Sequence, residues 1–231
     1  MPLAPSRPAR VLTAAALVAL AAAPLRGARP PVGAALSGLY LQNQSIGRGD
    51  AWNYYYFWPD GHACHVMPKG GLDPAPAYAA VARQAAGECG TYALGGGRLT
   101  LQLGGRPAEA LRYSNPDASG GFALSDFPTI HAPAFRPGAR LDGAWRVLII
   151  KGDDYRDETF AFRPDGTFTF DERPVKASGA PARHAAGTYA LAGNTLVVSV
   201  DGGSQRLSIH PFPAAGDRRL GLDGEVLQPK S

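Results

Sequence analysis

The stretch Phe160-Ala161-Phe162-Arg163-Pro164-Asp165-Gly166-Thr167-Phe168-Thr169-Phe170 places aromatic rings at alternate positions on both sides of a Pro-Asp-Gly turn. Alternation at period two puts those rings on one face of an extended strand, whereas a helix would scatter them. Proline sets φ for the first turn position, aspartate suits the second, and glycine accepts the positive φ with which the chain re-enters the sheet. The segment reads as a β-hairpin. The same signal stands 105 residues earlier, in Tyr55-Tyr56-Phe57-Trp58-Pro59-Asp60-Gly61.

Working outward from the two hairpins, further blocks match in order. Leu36-Ser37-Gly38-Leu39-Tyr40 corresponds to Leu141-Asp142-Gly143-Ala144-Trp145. Gly-Thr-Tyr-Ala-Leu occurs at Gly90 to Leu94 and again at Gly187 to Leu191, followed by Leu99 to Leu103 and Leu196 to Val200. Such an ordered series marks an internal duplication. The expected organisation is module 1 over 36–129, a linker over 130–140 with Pro133 and Pro137, and module 2 over 141–229. Glycine and proline make 50 of the 231 residues and fall mostly between the aromatic runs, as turns do in an all-β chain.

Between hairpin and Gly-Thr-Tyr, the first copy is longer by eight residues. The extra length contains Asp73-Pro74 followed by an alanine-rich run to Ala86. An aspartate cap, a proline at the first helical position and the alanines predict a short helix inserted in module 1. The equivalent stretch of copy two, Glu172 to Ala186, is broken by Pro174, Gly179 and Pro181 and reads as loop.

Residues 1–23 read as a secretory signal peptide. Arg7 and Arg10 precede an apolar run from Val11 to Ala23 with small residues suited to cleavage. Residues 24–35 are the connecting linker. Setting aside those two arginines leaves 21 basic residues against 19 acidic ones, a mature charge of +2 without a basic run, so nucleic acid is not an expected partner. The expected protein is exported, periplasmic or secreted, with no transmembrane segment once mature.

Gly38-Leu39-Tyr40 and Gly143-Ala144-Trp145 resemble the Gly-x-Trp opening of lipocalins. The short strands, Asp-Gly hairpins and Gly-Thr-Tyr blocks resemble bacterial lipocalin-like domains from Leu36 to Gln228. The resemblance implies an all-β chain of two tandem, small up-and-down antiparallel β-barrels, which leave no exposed strand edge. It further implies binding of a small apolar or amphipathic molecule, or of an envelope or extracellular protein. Tyr40, Tyr55, Phe57 and Tyr92 would line a cavity in module 1, and Trp145, Phe160, Phe162 and Tyr189 in module 2. In filled barrels the same residues are core.

Cys64 and Cys89 are the only cysteines, and in an exported chain they predict a disulfide across the insertion. The competing reading is a metal site from His62, Cys64, His65 and Cys89, but strand alternation turns His65 away from the others. The expectation is no metal and no cofactor. Trp52, Tyr54, Tyr56 and Trp58 form a second aromatic face on the first hairpin, where copy two carries Asp157, Thr159, Ala161 and Arg163. That face reads as packing against copy two or the inserted helix. Its alternative is an exposed platform for a carbohydrate or an adhesive contact.

A third functional alternative is an enzyme inhibitor that inserts the loop Lys69 to Pro76 into a cleft. No nucleophile elbow, zinc-protease motif or phosphate loop is present, so no catalytic residue is assigned. The acidic group Asp153, Asp154, Asp157 and Glu158 beside Lys151 and Arg156 reads as a solvated loop. His131, His184 and His210 read as surface or turn residues, and the barrel interiors as apolar.

Overall fold

The computed structural model describes residues 35–44, 52–152, 154–175, 181–213 and 216–230. The signal-peptide reading of residues 1–23 lies outside the described residues. The chain forms two closed antiparallel barrels of eight strands each, every strand pairing with its neighbours in sequence. Barrel 1 comprises β1 (Gly38–Asn43), β2 (Trp52–Phe57), β3 (His62–Cys64), β4 (Cys89–Gly95), β5 (Arg98–Leu103), β6 (Glu109–Ser114), β7 (Phe122–Leu124) and β8 (Phe127–His131). Barrel 2 comprises β9 (Gly143–Lys151), β10 (Asp154–Phe162), β11 (Thr167–Pro174), β12 (Arg183–Ala192), β13 (Thr195–Val200), β14 (Gly203–Pro211), β15 (Leu220–Leu222) and β16 (Glu225–Pro229). The first and last strands of each barrel pair and close it.

Register repeats between the copies. Tyr40 pairs with Tyr55 in barrel 1, and Trp145 with Phe160 in barrel 2. The Gly-Thr-Tyr block has the same two tasks in each. Its tyrosine closes one end: the Tyr92 hydroxyl donates to the Leu36 carbonyl at 2.9 Å, and Tyr189 to that of Leu141 at 2.9 Å. Its glycine lets two strands cross closely, because a Cβ would lie 1.9 Å from the Gln102 carbonyl oxygen at Gly90 and 2.0 Å from that of Ser199 at Gly187. Only glycine fits such an approach.

Three elements depart from the sequence reading. The inserted helix α1 (Tyr78–Gln84) starts after Ala77, not at Asp73, because the Asp73 carboxylate is engaged elsewhere. Glu172 to Ala186 is not simply loop: β11 runs to Pro174, β12 starts at Arg183, and Glu172 pairs with Arg183. The linker expected from residue 130 begins later, since Ile130 and His131 belong to β8 and pair with Leu41 and Tyr40.

The apolar side chains gather in three cores. One fills barrel 1 and includes Tyr40, Tyr55, Phe57, Tyr92 and Leu99. A second occupies barrel 2 and includes Trp145, Phe162, Phe168, Tyr189 and Leu196. The third lies outside both barrels, where Tyr54, Tyr56, Trp58, Met67, Leu72, Val81 and Phe212 pack together. This third core joins the hairpin of barrel 1 and its insertion to the wall of barrel 2.

Candidate functional site: the mouth of barrel 2

In barrel 1 the expected lining residues pack against one another. Tyr40 meets Phe57 at 5.5 Å and Phe122 at 5.2 Å between ring centroids, and Phe57 meets Tyr92 at 4.9 Å. Burial pushes the Tyr55 hydroxyl up to about 12. These four residues are core.

Barrel 2 differs. A cavity of about 350 Å³ opens into its interior, within the size range of small-molecule sites. Of the four residues expected to line it, Phe160 does, together with Val147, Phe168, Phe170, Val198, Leu207 and Leu227. Trp145, Phe162 and Tyr189 instead pack the closed end, where Phe162 meets Tyr189 at 5.0 Å and the Trp145 indole donates to the Arg218 carbonyl at 2.6 Å.

Strand alternation that turns Phe160 inward also turns Arg156 and Glu158 inward, so polar groups stand on the same wall. The reading of this segment as a solvated acidic loop is therefore corrected: it is strand β10, with Arg156 and Glu158 facing the cavity and Asp157 outside, 2.6 Å from Arg146. The expectation of a wholly apolar interior is corrected with it. On the neighbouring strand, opposite Glu158 in the ladder, Glu172 is 8 % exposed and sits 3.6 Å from Arg156 and 3.9 Å from Arg183. Across the barrel the mouth carries Gln205, Asp223 and Glu225. Burial pushes the Asp223 carboxyl up, while the backbone N–H of Ser208, donating at 2.8 Å, and that of Gly70 oppose the shift.

One lining residue comes from barrel 1. Lys69 lines the cavity, carried there by the segment Pro68 to Asp73 of the insertion. The segment is held along the outer face of β13 and β14. Gly71 N–H donates to the Ser208 hydroxyl at 3.0 Å, and the N–H groups of Leu72 and Asp73 both donate to the Thr195 hydroxyl oxygen at 2.8 Å. The Asp73 carboxylate accepts from the Asn194 N–H at 2.5 Å, and Arg206 donates to the carbonyls of Gly70 and Asp73. A Cβ at Gly71, where φ is +95°, would meet Thr195 at 2.6 Å. The loop needed for an inhibitor is thus docked within the molecule.

At its base the insertion is closed by the Cys64–Cys89 disulfide, which joins ladder partners on β3 and β4. The sulfurs are committed to each other, and the histidines of the metal reading are engaged separately. His62 stacks on Tyr78 at 4.0 Å and His65 on Tyr55 at 4.6 Å.

The second aromatic face is covered. Trp52 meets Phe212 at 4.8 Å, Tyr54 meets His210 at 5.6 Å, and Trp58 meets Tyr78 at 5.4 Å while its indole donates to the Pro76 carbonyl at 2.8 Å. Tyr54, Tyr56 and Trp58 are each under a tenth exposed, so no flat platform is presented to solvent. His210, expected at the surface, is fully buried in this contact and its pKa is pushed down by burial to about 4. Its Nε2, the Tyr54 hydroxyl and the Trp52 indole nitrogen have no hydrogen-bond partner among the described residues. Sequence alternation signalled the aromatic face but not its partner, because His210 and Phe212 look like isolated residues near a turn.

Among the described residues no helix is long and apolar enough to cross a membrane, and no group of three or more metal-ligating side chains occurs. Comparison with family models, curated proteins and solved structures finds no match for the chain.

Proposed function

We propose that the chain is an exported, non-enzymatic binding protein of lipocalin-like build, whose second barrel holds a small amphipathic molecule. The observation that carries this reading is the cavity of about 350 Å³ in barrel 2, apolar within and charged at its mouth. Barrel 1, filled with rings, serves as the support that holds Lys69 at that mouth. The disulfide fits an oxidising compartment.

Titration with the neutral fluorophore N-phenyl-1-naphthylamine tests the proposal. Saturable fluorescence enhancement is expected for the native protein. Ala185→Phe fills space inside the cavity and is expected to weaken binding roughly tenfold or more, equivalent to ~1.4 kcal/mol, with thermal stability retained. Absence of binding by the native protein, or equal binding by a folded Ala185→Phe variant, would overturn it.

A further inference from the structure

Charges of both signs stand on both walls of the mouth of barrel 2, with the guanidinium groups on one wall only. On β10 to β12 the guanidinium groups of Arg156 and Arg183 flank the carboxylate of Glu172, and Glu158, its ladder partner and one inward position deeper than Arg156, places a second carboxylate on the same wall. Facing them, on the β15–β16 turn and the start of β16, stand the carboxylates of Asp223 and Glu225, with Lys69 from the barrel 1 insertion nearby. The first wall thus carries the guanidinium donors, balanced in number by its own two carboxylates, and the second carries two carboxylates against the one ammonium of Lys69. Below both lies the apolar cavity.

Resting on the ligand-binding reading above, we propose that the ligand is an amphiphile with a zwitterionic head group. Its apolar part enters among Phe160, Phe168 and Phe170. Its anionic group lies toward Arg156 and Arg183, and its cationic group toward Glu225. A purely anionic head gains from the first wall and is repelled by Asp223 and Glu225. A purely cationic head has the converse difficulty, because Arg156, Arg183 and Lys69 stand against it. A zwitterion satisfies both walls, with the charge-assisted contacts that are stronger than neutral ones. Lys69 has a second effect: it offsets one of the two carboxylates on its side, so the cationic subsite carries about one net negative charge rather than two.

The test uses the full chain and three amphiphiles with the same octyl tail, namely octylphosphocholine, nonanoate and octyltrimethylammonium. Each is measured below its micelle concentration by displacement of N-phenyl-1-naphthylamine. Octylphosphocholine is expected to displace the probe at the lowest concentration. Arg183 and Glu225 are solvent-accessible, so their neutral variants leave the fold in place. Arg183→Gln and Glu225→Gln are each expected to weaken octylphosphocholine by about two- to fivefold, the range of an exposed ion pair. Arg183→Gln should shift preference toward the cation, and Glu225→Gln toward the anion. Probe binding with nonanoate or octyltrimethylammonium preferred would overturn the head-group proposal alone. Equal displacement by all three, or variants that move no preference, would do the same. Failure of the probe itself to bind would instead overturn the cavity as a binding site.

Discussion

His210 offers a direct measure of how firmly the two barrels are docked. Its Nδ1 lies 3.1 Å from the Pro211 carbonyl, which only accepts, so Nδ1 carries the hydrogen and Nε2 is the basic nitrogen. That Nε2 faces Gly221, where even a Cβ would come within 1.9 Å, and no acceptor stands near it among the described residues. Protonation would therefore place a hydrogen and a charge in a site with no partner for either. The surrounding groups do not rescue it. Tyr54 meets the ring edge-to-face, Glu225 is close enough to raise the Tyr54 hydroxyl, and Arg219 lies over the Phe212 and Trp52 rings while paired with Asp217.

The pKa falls from 6.5 when hydrated to about 4 when buried. A group depressed in this way contributes stability above its hydrated pKa, and that contribution is lost as the pH falls toward its buried value. Linkage gives a loss of about 2 kcal/mol between pH 7 and pH 5, approaching about 3 kcal/mol near pH 4. The assay is urea denaturation at pH 7 and pH 5, followed by tryptophan fluorescence, for the native chain and for His210→Phe. The variant keeps an aromatic ring against Tyr54 and has no proton to gain. It should lose about 2 kcal/mol less than the native chain between the two pH values. Because His65 titrates in both proteins, the difference isolates His210. Equal losses in the two proteins would refute the reasoning.

Two further predictions concern the insertion. Thr195→Val removes the hydroxyl that accepts from two backbone N–H groups, those of Leu72 and Asp73, and should cost about 2–3 kcal/mol in denaturant unfolding; a change within ~0.5 kcal/mol would show that the segment is not held there. Replacing both Cys64 and Cys89 with alanine opens a loop spanned by 25 residues and is expected to lower stability by about 3 kcal/mol, with a parallel loss of probe affinity if Lys69 and its segment loosen; unchanged thermal unfolding under reducing conditions would refute this.

The fold was legible because its signals are local. Aromatic alternation about Pro-Asp-Gly names a hairpin within eleven residues, and its repetition names the second barrel. The disulfide was legible from two cysteines and a compartment. The site was not, because it depends on groups brought together across the barrel and between modules. Arg156 and Glu158 sit in a charged run whose inward and outward members are separated only by strand parity. Lys69 is about 150 residues from Asp223, and no local pattern joins them. Asp73 looked like a helix cap because its local surroundings favour one, but the amide of Asn194 in the other module holds its carboxylate instead.

The contact between the barrels joins unlike surfaces. The outer face of β2 in the first copy meets the outer face of β14 in the second, although the copies are built on one plan. A head-to-tail joint of this kind does not close on itself, and identical modules could keep adding to the exposed end. The next position for such growth is the face of β10 that corresponds to β2. There the four aromatics are replaced by Asp157, Thr159, Ala161 and Arg163, and Asp157 is tied to Arg146. With those residues the second copy lacks the four aromatics through which the first copy meets its neighbour, so one plan has given two barrels with different outer faces.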